Sequence, residues 1–299
     1  MMAEALSHDN RADWLASRKL YVGASEAPIV LGVSPYSSPY KLWAEKTGLI
    51  EPDAQSAAMT RGKRLEPVVA DMLAEDRGWT LENPGEFTIQ RHASLPWMGC
   101  TLDRVLVDPA RGRGDLQIKT ASAFAAHDWD NGPPLHVQVQ CQHELEVTGL
   151  TWGVVAVLIG GDELRTFEFE RHDKIIGVII EREAAFVEMV RRGIAPAIEG
   201  ADATAEALKR LYPRDSIEAV DLPAESAEWD ARLRSVKAEL ARLETEKTEL
   251  ENQIKAAMGD AGIGVLPGGG RYSWRACETQ HAAREARTGF SRPLVRLKK

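Results

Sequence analysis

The sequence predicts a mixed α/β fold, in which a central mixed sheet is flanked by helices and followed by a helical appendage. Three observations predict it. Residues 101–120 read as two short strands joined by a polar turn. Residues 152–159 and 164–170 are apolar, β-branched runs around Gly160-Gly161-Asp162, the pattern of a second hairpin. Segments with helical spacing lie before, between and after these hairpins. Strands interleaved with amphipathic helices bury both faces of a sheet.

The elements follow in order. A loose lead-in gives way to a short helix around Trp14. Ser25 is placed to cap a helix ending near Leu31-Gly32, with Glu26 in its first turn and Pro28 tolerated early. The turn-rich segment 34–40 leads into a helix over 40–47, stopped by Gly48. Residues 51–58 read as a polar loop. A longer helix opens near Arg61, with Glu66 in its first turn and an apolar stripe of Leu65, Val68, Val69, Met72 and Leu73. Strands follow at 87–90 and 97–100, then the central hairpin, then a loop with Trp129. Pro133-Pro134 begins a helix over 136–148, ended by Gly149. After the second hairpin, 172–193 is a long helix with Ile175, Ile179, Phe186 and Val190 inward.

The expected organisation is a core over 1–200, a linker over 201–224, a heptad-patterned helix over 225–258, and a Gly-rich turn, short strand and basic tail over 259–299. Within the heptad segment, Trp229, Leu233, Val236, Leu240, Leu243, Leu250, Ile254 and Ala257 keep a 4-3 spacing broken by Lys247. The pattern suits a coiled coil or one amphipathic helix docked on its own domain.

Composition bounds the function. The 299 residues are 44% hydrophobic and 27% charged, as in soluble globular proteins. The longest apolar runs are of strand length, too short for a membrane span. No basic stretch followed by an apolar core begins the chain, so no secretory signal is expected. Cys100, Cys141 and Cys277 are too few for a four-cysteine metal or iron–sulfur site, and a reducing cytosol is the simple inference. The net charge of −8 is unusual for a protein that touches nucleic acid, but Arg284, Arg287, Arg292, Arg296, Lys298 and Lys299 make the C-terminus basic.

The central hairpin carries the chemistry. Asp103 precedes its first strand, and Asp115, Gln117 and Lys119 alternate along the second. Side chains two apart on a strand share a face, so these three point one way while Leu116 and Ile118 point into a core. Phosphodiester hydrolysis requires neutralising developing charge and activating a water, which divalent ions held by carboxylates and carbonyl oxygens accomplish. Asp103, Gln117, the Ile118 carbonyl and Lys119 fit such a site, and Glu66 could complete the metal shell. An Asp-x13-Gln-x-Lys pattern is weak on its own.

More motifs occur in order: Arg18-x6-Ser25, Ser34-Pro35-Tyr36, Arg61-Gly62-Lys63-x-x-Glu66, Asp103, Gln117-Ile118-Lys119, Val137-Gln138-Val139-Gln140 and Thr148-Gly149. Over residues 14–195 the chain resembles the phage lambda exonuclease-like, YqaJ-type viral recombinase nucleases. The resemblance implies a PD-(D/E)XK core of the restriction-endonuclease kind. It also implies a Mg²⁺-dependent 5′→3′ exonuclease of double-stranded DNA ends, with Mn²⁺ as a substitute ion. By position it implies Glu66, Gln117, Lys119 and Gln140 as the catalytic set and Asp103, Gln117, Ile118 and Glu66 as metal ligands. Arg18, Ser25 and Thr101 would form the pocket for the DNA 5′-phosphate. Relatives of this kind form trimeric or tetrameric rings on DNA, work with a single-strand annealing protein, and act in the cytoplasm of a bacterial host as phage or prophage products.

Two departures stand out. Leu102 replaces the family's proline before the Asp, and Gln117 replaces an acidic metal ligand. A neutral ligand weakens divalent-cation binding. Gln117 is thus a tolerated variant compensated by Glu66 or Asp115, the mark of an inactive end-binding protein, or a deliberate change that traps DNA.

Overall fold

The computed structural model describes residues 4–216 and 218–276. The expected basic tail and Cys277 lie outside the described residues. The chain divides into two compact units, residues 1–213 and 214–299.

The first unit is built around a five-stranded sheet in the order β3 (Thr80–Glu82), β6 (Arg104–Asp108), β7 (Gly112–Ala121), β8 (Trp152–Ile159), β9 (Glu163–Glu170). The β6–β7 and β8–β9 hairpins are antiparallel, and β7 runs parallel to β8. That parallel step requires a crossover, which helix α5 (Leu135–Thr148) supplies. The two faces of the sheet are packed differently. Leu116, Ile118, Val154, Ala156 and Leu158 meet Val69, Ala70 and Leu73 of α4 (Ala57–Arg77). Val155, Val157 and Ile159 meet Val137 and Cys141 of α5 and the buried Trp129, which lies in a 3₁₀ segment.

A second sheet, in the order β1 (Glu4–Ser7), β4 (Thr88–Arg91), β5 (Met98–Cys100), β2 (Val22–Gly23), lies on the other side of α5. Beside it lie α1 (Arg11–Arg18), whose Trp14 meets Phe87 and Thr101, and α2 (Ala27–Val30), α3 (Pro39–Lys46) and α6 (Asp173–Arg192), which share its apolar clusters. His143 of α5 ties these parts together: it hydrogen-bonds Glu183 of α6 at 2.8 Å and the Gly99 carbonyl of β5 at 3.0 Å, wholly buried. Glycines at φ 74° and 65° end α5 and α6, as expected of Gly149 and Gly193. Helix α7 (Asp202–Leu211) packs on α3, with Thr204 bonded to Ser38 at 2.8 Å and Glu206 to the buried Lys41 at 3.1 Å.

Several expectations are corrected. Ser25 does not cap α2; Glu26 occupies the cap position without a side-chain bond to the helix's own N–H groups, and the Ser25 hydroxyl faces Arg18 instead. Helix α4 begins before Arg61, capped by Ser56, so Glu66 lies in mid-helix beside an internal Pro67. Its buried face is Val69, Ala70 and Leu73, whereas Val68 and Met72 are exposed. Ile175, expected inward, is also exposed. Strand β1 had no signal in the sequence.

The second unit holds α8 (Ser226–Met258), 33 residues long with none buried, and a small hairpin of β10 (Ile263–Val265) and β11 (Arg271–Ser273). The Gly-rich turn connects these two strands.

Candidate active site

Strand β7 delivers the site. Gln117 is almost wholly buried, and Lys119 lies two residues farther along the same face. Asp103, just before β6, is placed against them because β6 and β7 are paired with Arg104 opposite Leu116. The Asp103 carboxylate accepts the Ile118 N–H at 2.8 Å and the Gln117 side-chain amide, Nε2–H. From α5, Gln140 enters the same layer. Its Nε2 donates to Gln117 Oε1 at 2.8 Å, and its Oε1 accepts from Lys119 Nζ at 3.0 Å. Asp103, Gln117, Lys119 and Gln140 therefore form one hydrogen-bonded chain. Burial pushes the Asp103 carboxyl up to about 6, although Lys119 and the Ile118 N–H pull it down.

Glu66 approaches from the opposite face. Its carboxylate pairs with Arg104 at 2.6 Å, and the same guanidinium nitrogen donates to the Asp103 main-chain carbonyl. Glu66 is thus linked to Asp103 through Arg104, and no hydrogen bond joins it to Gln117 or Lys119.

The residues expected to receive a 5′-phosphate meet through one the sequence had not marked. Arg18 bonds the Ser25 hydroxyl at 3.2 Å and stacks over the Trp14 ring at 4.8 Å. The Trp14 indole N–H donates to Thr101 Oγ1 at 3.3 Å. Trp14 bridges Arg18 to Thr101, two residues before Asp103. Only its position one helical turn before Arg18 could have signalled this.

One pleat deeper along β7 sits Asp115, 1% exposed, against Glu144 of α5, 0% exposed. Gln140 Nε2 bonds Glu144 Oε1 at 3.0 Å, which joins this pair to the Gln117–Lys119 chain. Burial pushes both carboxyl groups well up from their ordinary range, each raised further by neighbouring carboxylates.

The donor set at Asp103 suits a hard divalent cation in chemistry: a carboxylate, the Ile118 carbonyl and the Gln117 side-chain oxygen. One feature is set for the opposite sign. Gln117 presents Nε2–H to Asp103, so an amide dipole supplies the positive end there. Turning that amide over brings Oε1 to the cation.

A mixed sheet with an acid, a strand and a lysine at its central hairpin, covered by helices on both faces, is the arrangement of the PD-(D/E)XK fold. Residues 13–151 match the YqaJ-like viral recombinase domain. The protein YqaJ of Bacillus subtilis (strain 168) is 34% identical over 266 residues, spanning 87% of this chain and 82% of that one. The chain belongs to the YqaJ-like viral recombinase family. Among solved structures, the alkaline exonuclease LHK-Exo of Laribacter hongkongensis superposes with a TM-score of 0.53 at 22% identity, over 62% of this chain and 94% of that one. Its complex with dAMP gives the same TM-score and identity over 67% and 97%. These two share the fold.

Proposed function

We propose that this protein is a divalent-metal-dependent exonuclease that degrades double-stranded DNA ends in the 5′→3′ direction, for recombination by single-strand annealing. The observation that carries the proposal is the joining of Asp103, Gln117, Lys119 and Gln140 in one hydrogen-bonded cluster on β7 and α5. Mg²⁺, or Mn²⁺ in its place, would be held by Asp103, the Ile118 carbonyl and Gln117 Oε1. When bound it supplies charge neutralisation at the scissile phosphate and a more acidic water.

The chain's own residues do the rest. Lys119, aimed by Gln140, steadies the phosphate and orients the attacking water. Arg18 and Ser25 take the 5′-phosphate, with Thr101 held by Trp14 at the edge of that pocket. Glu66 acts at one remove, by fixing Arg104 against the Asp103 backbone. Family membership further supports a ring-shaped homo-oligomer, a single-strand annealing partner and action in a bacterial cytoplasm. Among the described residues no helix is long and apolar enough to cross a membrane.

A second reading is favoured by the Gln117 amide: an end-binding protein with a weakened site. Digestion of linear, 5′-phosphorylated duplex with Mg²⁺ separates the two. The exonuclease reading expects measurable degradation by the protein, faster degradation by Gln117→Glu, and a loss of roughly 100-fold or more in Lys119→Ala, the scale of a removed charge-stabilising group. No degradation by the natural chain but strong degradation by Gln117→Glu would establish the end-binding reading. Unchanged degradation by Lys119→Ala would remove Lys119 from the site.

A further inference from the structure

We propose that Asp115, Cys141 and Glu144 form a second cation site, buried between β7 and α5, that takes a borderline-soft divalent ion of the Zn²⁺ or Co²⁺ kind. This goes beyond the nuclease reading and does not depend on it, because neither Asp103 nor Lys119 supplies a donor.

Geometry comes first. One ligand atom from each of the three residues lies within 4.8 Å of the others. Ligands bound to one ion at about 2.0–2.3 Å are compatible with that spacing. Asp115 and Cys141 are each 1% exposed and Glu144 is 0% exposed, so solvent is not available to satisfy their polar atoms. Hydrogen bonding reaches only Glu144 Oε1, which accepts from Gln140 Nε2 at 3.0 Å. Both Asp115 oxygens and Glu144 Oε2 are buried with no hydrogen-bond partner among the described residues. Unpaired buried carboxylates are among the most costly groups a fold can carry.

The donor chemistry then selects the occupant. One shared proton could bridge two carboxylate oxygens, but it leaves a third orphaned and gives the Cys141 sulfur no role. A divalent ion engages both acids and the thiolate together. Sulfur in the set favours Zn²⁺ or Co²⁺ over Mg²⁺. Position adds a consequence. Asp115 lies two residues from the neutral Gln117, and Glu144 reaches Gln117 through Gln140. A cation here would brace the β7–α5 contact on which Lys119 and Gln140 depend.

The test uses untagged full-length protein, stripped with chelator and titrated with Co²⁺. One equivalent is expected to bind with a sulfur-to-cobalt charge-transfer band. The band should survive in Cys100→Ser, Cys277→Ser and Gln117→Ala, and vanish in Cys141→Ser. Asp115→Asn should weaken Co²⁺ binding at least about 10-fold, as loss of a ligand or its support does. Co²⁺ at the Asp103 site would meet oxygen donors only and give no such band, so the two sites are read separately. X-ray absorption of the unmutated Zn²⁺ or Co²⁺ protein should find one sulfur at about 2.3 Å. Absence of the band in the unmutated protein, its survival in Cys141→Ser, or a shell without sulfur would each overturn the proposal.

Discussion

At Gln117 a single amide replaces a charge with a dipole. Its N–H faces Asp103 and its oxygen faces Gln140, so each end of the group is satisfied without a metal ion. A glutamate there would place two carboxylates side by side and make a cation far more necessary. Glu26 shows the opposite case, a carboxylate fully compensated by the protein. It pairs with Lys46 at 2.7 Å and Arg18 at 3.7 Å and accepts the Gly23 N–H at 2.9 Å. Burial alone would raise its pKa, but Lys46, Arg18 and the Gly23 N–H together hold it below the ordinary glutamate value of 4.5. A carboxyl depressed in the folded state contributes stability that is present above its unfolded pKa and lost as pH falls through the folded one. Glu26→Gln is therefore expected to cost about 1–3 kcal/mol at neutral pH, the scale of lost charged hydrogen bonds. The difference from the natural chain should shrink on acidification below 4.5. Urea unfolding across pH checks this, and a pH-independent difference would mean that the ion pairs do not matter.

Among the elements, β7 is held closely at its parallel contact with β8. A Cβ at Gly153 would lie 2.7 Å from the Asp115 carbonyl oxygen and 2.5 Å from the Phe169 ring. The carbonyl is backbone and cannot rotate away, so β7 itself must move. Gly153→Ala is expected to destabilise the first unit by about 1–3 kcal/mol, as overpacking does, with a lower urea midpoint for the unit's tryptophan signal. An unchanged midpoint would mean that β7 and β8 can separate freely. The same strands were the most legible in the sequence, because period-two alternation, Gly-Gly-Asp and terminal glycines are local signals. Asp115, Gln117 and Lys119 follow from that alternation, whereas Gln140 was implied only by the family resemblance; the structure brings Asp103, Gln117, Lys119 and Gln140 into one hydrogen-bonded cluster. The misplaced features have two origins. The true start of α4 is a local cap, Ser56, which the polar segment before Arg61 obscured, whereas the exposure of Val68 depends on which side of α4 meets Leu116 and Ile118. Trp14 beside Thr101, Arg104 on Glu66, and Asp115 against Glu144 are each contacts between segments far apart in the chain, which no local pattern encodes.

For the whole molecule, a net charge of −8 opposes association with duplex DNA at long range. On the proposed function, affinity for DNA would come from cations concentrated where the duplex passes. Arg18, partly exposed beside Ser25, is the cation proposed for the 5′-phosphate. The basic C-terminal stretch, Arg284 to Lys299, lies outside the described residues. Each phosphate a basic residue neutralises releases condensed counterions, so binding weakens with salt at about 0.9 log units of affinity per log unit of salt for each contact. Deleting residues 277–299 is expected to weaken binding to a blunt duplex at low salt and to flatten this salt dependence by roughly 2–4 contacts' worth. The natural and shortened chains should converge as salt rises, since the removed term is the screened one. Fluorescence anisotropy of a labelled duplex, in chelator so that no cleavage intervenes, measures both slopes. Parallel slopes with an equal offset at every salt would mean the tail acts through assembly of the protein and does not contact phosphate.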